Sequence, residues 1–173
     1  MYVWLRKILN KILLLTRNVK KMEKNIITLG KYLIYKGVTS PLELQKILFF
    51  LRYEELKRKE LNDSFFKTDH NFQAWIFGPV NPESYAYFDS FFTNKSKEAK
   101  KWLLNDDKII NLLNQKYEVY FNKWFSFASG HLARISRNNL AWIKARGGIA
   151  AHQKCEIFME ENTEDFIKFE ENN

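Results

Sequence analysis

Apolar residues recur at helical spacing along most of this chain, interrupted by one short alternating stretch. Residues 22–36 place Ile26, Leu29, Leu33 and Ile34 on one side, with Gly37 as a stop signal. Ser40, Pro41 and Glu43 then form a helix start: a side chain able to accept from first-turn amides, proline where no N–H is needed, and a capping-box carboxylate. Leu44, Ile47, Leu48 and Leu51 follow at i, i+3, i+4 and i+7, predicting an amphipathic helix over 41–60. Its far half, with Glu54, Glu55, Lys57, Arg58, Lys59 and Glu60, reads as a solvated face. Asn62, Asp63 and Ser64 mark a turn. Phe72, Ala74 and Ile76 alternate with Gln73, Trp75 and Phe77, which predicts an extended piece before the Gly78-Pro79 turn.

Asn81-Pro82-Glu83 repeats the cap-then-proline pattern for a helix carrying Tyr85, Phe88 and Phe92. A loop over 93–96 leads to a short helix with Trp102 and Leu103. Ile110, Leu113, Tyr117, Tyr120, Phe121 and Trp124 predict a long core helix over 108–124, too short for a coiled coil. A break over 125–129 precedes a further helix that takes Leu132, Ile135 and Leu140 together. Gly147-Gly148 closes the segment holding Trp142 and Arg146, and residues 162–165 cap a short acidic helix with Phe166, Ile167 and Phe169. The predicted class is mainly α: a single compact helical domain of about six to eight helices, with a short extended or β piece around 72–77.

Composition adds limits. A chain of 173 residues with 46% hydrophobic and 16% aromatic residues is long and apolar enough for one real core. The net charge of +8 is unevenly placed. Residues 1–21 hold Arg6, Lys7, Lys11, Arg17, Lys20 and Lys21 and no acid, leaving 22 basic against 20 acidic residues over 22–173. The basic N-terminal extension is amphipathic, through Leu5, Ile8, Leu9, Ile12, Leu15 and Val19. It reads as a segment upstream of a native start at Met22, as a helix lying on a membrane surface, or as an ordinary packed helix. Membrane contact is not expected except through 1–21. A single cysteine, Cys155, makes no internal disulfide, which fits a reducing cytoplasm. Lysine outnumbers arginine 21 to 7, and that skew points to an AT-rich bacterial genome.

Catalytic equipment is thin. His70, His131, His152 and Cys155 are the candidates for nucleophile, base or soft ligand, and His152-x-x-Cys155 lacks the further ligands a structural zinc site needs. Phosphate-cradling and nucleophile-elbow motifs are missing from the sequence. The expectation is a protein that is not an enzyme and takes no cofactor and no metal. Trp75, Tyr85, Trp142 and Arg146 are residue types that dominate protein interfaces; they read equally as core residues and a helix-end partner. Gln45 and Lys46 either cap the loop near Gly78, Pro79 and Val80 or touch a partner. Arg134, Arg137, Lys144 and Arg146 around Trp142 offer material for phosphate and base contacts, so a regulatory nucleic-acid-binding protein is the alternative reading.

Two stretches, LELQKILFF from Leu42 and FQAWIFGPVNPESY from Phe72, resemble signature segments of the Panacea domain, the SocA-like antitoxin family. The family pattern runs roughly as a threonine, K-L-Q-K-L-L-Y, then F-x-A-W-x-y-G-P-V-x-P-x-x-Y. LARISRNNLAWIKAR, from Leu132 to Arg146, is similar to a third segment of a leucine, a T-H pair and P-W-x-x-A-R. Glu43 replaces the first lysine, Ser136-Arg137 the T-H pair and Ala141 the proline. The likeness covers about 26–169. It implies a bacterial, cytoplasmic antitoxin of a toxin–antitoxin system, of the kind tied to phage defence. Such a protein would neutralise a cognate protein toxin by direct binding, or hand it to a bacterial protease as an adaptor. It places the partner-binding candidates at Gln45, Lys46, Trp75, Gly78, Pro79, Val80, Tyr85, Trp142 and Arg146.

Overall fold

A computed structural model describes residues 23–67, 72–94, 106–148, 156–157 and 163–170. The N-terminal extension, the Trp102 helix, His70, His152 and Cys155 lie outside the described residues. The described residues form seven helices and a small sheet. The helices are α1 (Ile26–Tyr35), α2 (Pro41–Arg58), α3 (Pro82–Asn94), α4 (Asp107–Phe125), α5 (Ser129–Ser136), α6 (Leu140–Arg146) and α7 (Thr163–Phe166). The strands are β1 (Phe72–Trp75), β2 (Gly78–Val80) and β3 (Glu156–Ile157), paired antiparallel in the order β2-β1-β3. The expected mainly helical domain with a short β piece is what the chain forms.

Helix α2 starts where its local chemistry says. Ser40 Oγ accepts from the Glu43 amide at 3.2 Å, and Glu43 returns the favour one residue further out, accepting from the Thr39 amide at 2.9 Å. It is not an amphipathic surface helix, however. Packed against α1, α3, α4, α5 and β2, it buries Phe49 and Phe50 as well as the predicted stripe. Over 44–51 the helix is covered on all sides and forms the core of the fold, where each large apolar side chain it buries contributes roughly 2 kcal/mol.

The solvated far face is also corrected. Glu54 and Glu55 are buried, at 2% and 1% exposure. Glu54 accepts from Lys123 Nζ at 2.6 Å and from the Trp124 indole N–H at 3.1 Å. Glu55 accepts from Arg52 Nη1 and Ser64 Oγ, both at 2.9 Å, and from the Tyr117 hydroxyl. Burial together with the Glu55 charge pushes the Tyr117 phenol up, so it stays a donor across the accessible pH range. These carboxylates fasten α2 to α4; Lys57, Arg58, Lys59 and Glu60 are exposed as expected.

Helix α4 follows its predicted stripe. Leu113, Tyr117, Phe121 and Trp124 are buried, and Trp124 stacks on Phe50 at 4.0 Å. Leu140 does not continue the helix of Leu132 and Ile135. Arg137, Asn138 and Asn139 break it, because Asn139 is drawn to the C-terminal segment. Its side chain donates to the Phe166 and Lys168 carbonyls at 2.7 and 3.2 Å and accepts from the Trp142 amide at 3.2 Å, so it starts α6 instead.

Candidate functional site

The β1–β2 hairpin pairs Trp75 with Gly78 and turns at Ile76 and Phe77. Gly78 has φ +98°, a conformation that suits glycine, and follows the two-residue turn directly. The space beneath it is equally restrictive. A Cβ at Gly78 would lie 2.5 Å from Ser136 Oγ and 3.0 Å from Lys46 Nζ. Pro79 is tolerated because β2 is the sheet's edge.

The hairpin is fixed from below by α2. Lys46 is fully buried and donates from Nζ to the Pro79 carbonyl at 2.8 Å. Removal from water, with the Arg137 charge as a second cause, pulls its ammonium down to about 7. Gln45 spans two groups. Its Oε1 accepts from the Asn81 amide and its Nε2 donates to Ser84 Oγ, both at 2.9 Å. Asn81 Oδ1 accepts from the Ser84 amide at 2.9 Å, as the cap-then-proline pattern implies. Gln45, Asn81 and Ser84 are all buried, and such a satisfied network specifies one position for the chain.

From the other side α6 holds β1. The Trp142 indole N–H donates to the Trp75 carbonyl at 3.0 Å, and Arg146 Nη1 donates to the Ala74 carbonyl at 3.3 Å. Trp75 meets the Tyr85 ring edge-on at 4.9 Å and donates its indole N–H to Gln73 at 2.9 Å. All nine residues singled out in the sequence thus gather on one hairpin. Five of them, Gln45, Lys46, Gly78, Pro79 and Val80, are buried, while Trp75, Tyr85, Trp142 and Arg146 are half-buried.

The residues that reach solvent are ones the sequence reading passed over. Alternation put Ile76 with Phe72 and Ala74, which are fully buried; the chain turns at Ile76, leaving it 45% and Phe77 65% exposed. Polar Gln73 sits between buried neighbours, so polarity gave no cue to where the strand ends. Ser136 and Arg137, noted as departures from the family pattern, lie against Gly78 and Lys46 respectively. Lys46 near neutrality beside a serine hydroxyl has the makings of base chemistry. Both side chains are fully buried, and Ser136 Oγ already donates to the Ala133 carbonyl.

Elsewhere, Phe50, Tyr53, Trp124, Ile135 and Phe169 line a cleft of about 260 Å3, with Asn138 and Glu170 among its walls. Lys123 lies over the Trp124 ring and Lys57 over Tyr53, so cations already occupy a face of each. Among the described residues no group of three or more His, Cys, Asp or Glu side chains could hold a metal ion, and no helix is long and apolar enough to cross a membrane. The chain matches no protein-family model, no curated protein and no solved structure.

Proposed function

We propose that this chain is a Panacea-like antitoxin that neutralises a protein toxin by direct binding, with the β1–β2 hairpin as its contact element. The observation that carries the reading is the exposed Ile76–Phe77 tip on a hairpin whose base is fixed by buried hydrogen bonds. A large apolar pair costs solvation while exposed, and a rigid support means little ordering entropy is lost on binding. Aromatic anchors held in this way are the residues from which interfaces draw most of their affinity. The nine motif residues act as the support, and the tip as the anchor. Neutralisation is then occlusion of the toxin's working surface, in the bacterial cytoplasm, without catalysis and without a cofactor.

Co-expression tests this. The product of the adjacent gene is induced in a bacterial host with and without the full chain. The neighbour alone should arrest growth, and the chain should restore it through a complex that survives purification. A harmless neighbour, or toxicity unrelieved by the chain, would overturn the reading.

A further inference from the structure

The hairpin tip does not stand alone. Gly78 and Ser136 are packed together, and the residues that flank this contact are Phe77 on one side and Arg137 on the other. Phe77 is the most exposed aromatic of the hairpin, and Arg137 is half-buried.

The two segments that carry this contact hold no acid of their own. Residues 129–148 carry Arg134, Arg137, Lys144 and Arg146 and no acid, while 72–80 carry no charge at all. Most of these cations have an assignment. Lys144 pairs with Asp165 at 2.6 Å, Arg134 bonds the His131 ring at 3.2 Å, and Arg146 donates to Ala74. The Arg137 guanidinium has no hydrogen bond or ion pair among the described residues, and only its backbone N–H is bonded, to the Arg134 carbonyl. Its charge is felt at Lys46, whose ammonium form it disfavours. Neither Lys46 nor Arg137 forms an ion pair with a carboxylate among the described residues, and Arg137 reaches solvent.

We propose that Ile76, Phe77 and Arg137 form one recognition patch for an acidic segment of the partner protein, which lays a large apolar side chain on the tip and sets a carboxylate on the Arg137 guanidinium. This rests on the antitoxin reading and names the chemistry of the toxin surface it needs. A guanidinium takes a carboxylate through two parallel hydrogen bonds, and an apolar neighbour that excludes water strengthens them. The exposed Arg134 adds longer-range attraction for an acidic partner, which raises the association rate more than the final affinity. A single-stranded nucleic acid fits less well. Ile76 gives no ring for a base to stack on, and one uncommitted guanidinium is not the track of cations that follows a phosphate backbone.

The test uses the full chain and the adjacent gene's product, with affinity measured by calorimetry at low and high salt. Arg137→Gln and Phe77→Ala should each weaken binding at least tenfold, and Arg137→Gln should also flatten its salt dependence. Arg137→Lys should recover part of the loss. Unchanged melting temperatures are expected, since both side chains reach solvent. If the unaltered chain binds and both variants bind within twofold of it, the patch is wrong while the antitoxin reading stands. If the unaltered chain does not bind, the antitoxin reading falls and the patch with it. If Arg137→Gln spares protein binding but abolishes binding of a labelled single-stranded oligonucleotide, the patch is a nucleic-acid contact and the proposal is overturned.

Discussion

Gly78→Ala is expected to destabilise the protein by about 3 kcal/mol or more, a large fraction of the stability of a domain of this size. Two independent costs combine. A residue with a side chain at φ +98° is strained by roughly 1–3 kcal/mol. The new methyl also enters a filled space, 2.5 Å from Ser136 Oγ and 3.0 Å from Lys46 Nζ, and overpacking of this kind typically costs a further 1–3 kcal/mol. Neither neighbour moves cheaply, because Ser136 is held by the Ala133 carbonyl and Lys46 by Pro79. Gly130→Ala is the control: nothing lies within 4 Å of its added methyl, so it should be neutral or slightly stabilising. Urea denaturation of the two variants checks this. A Gly78→Ala change of under 1 kcal/mol would show that the hairpin base is loose.

The second large effect is a pH dependence carried by Lys46. Its folded ammonium titrates near 7, against 10.5 in an unfolded chain, because burial and Arg137 both disfavour the charge. Between these values the unfolded chain holds a proton that the folded protein does not. Stability therefore rises with pH over this window, by up to about 1.4 kcal/mol per unit. Below 7 both states are protonated, and the full cost of the buried charge is present. Lys46→Met keeps the volume and removes the titration, though it leaves the Pro79 carbonyl without its donor at every pH. From pH 7 to pH 9 the stability of the original protein should therefore gain about 2–3 kcal/mol relative to the Met variant. Denaturation curves at the two pH values measure it. Parallel pH profiles would mean that Lys46 keeps its proton when folded.

What was legible in the sequence was local. Ser40 and Glu43 act on amides within four residues, and Asn81 on Ser84 three residues away, so their helix starts could be read from the chain alone. Glu54 and Glu55 were misread because their partners arrive from far along the chain: Tyr117, Lys123 and Trp124 lie 62 to 70 residues later. A carboxylate's burial is set by who meets it, and periodicity carries no word of that. The split at Asn139 has the same origin, since the carbonyls that hold it belong to Phe166 and Lys168. The nine motif residues lie together at the hairpin, but their direction was not legible in the sequence. Spacing along the chain carries no sign of direction, whereas a glycine at φ +98° follows the exposed Phe77 and packs over the buried Lys46.

We propose that the hairpin, fixed from beneath, offers its tip to a partner. Amide hydrogen exchange on the free chain and on its complex with the adjacent gene's product tests this most directly. Protection appearing at Ile76, Phe77 and the Arg137 turn, with the rest of the fold unchanged, is the predicted result. Unchanged exchange there, with new protection at the aromatic cleft of Tyr53, Trp124 and Phe169 instead, would contradict it and move the partner's seat to α4 and the C-terminal segment.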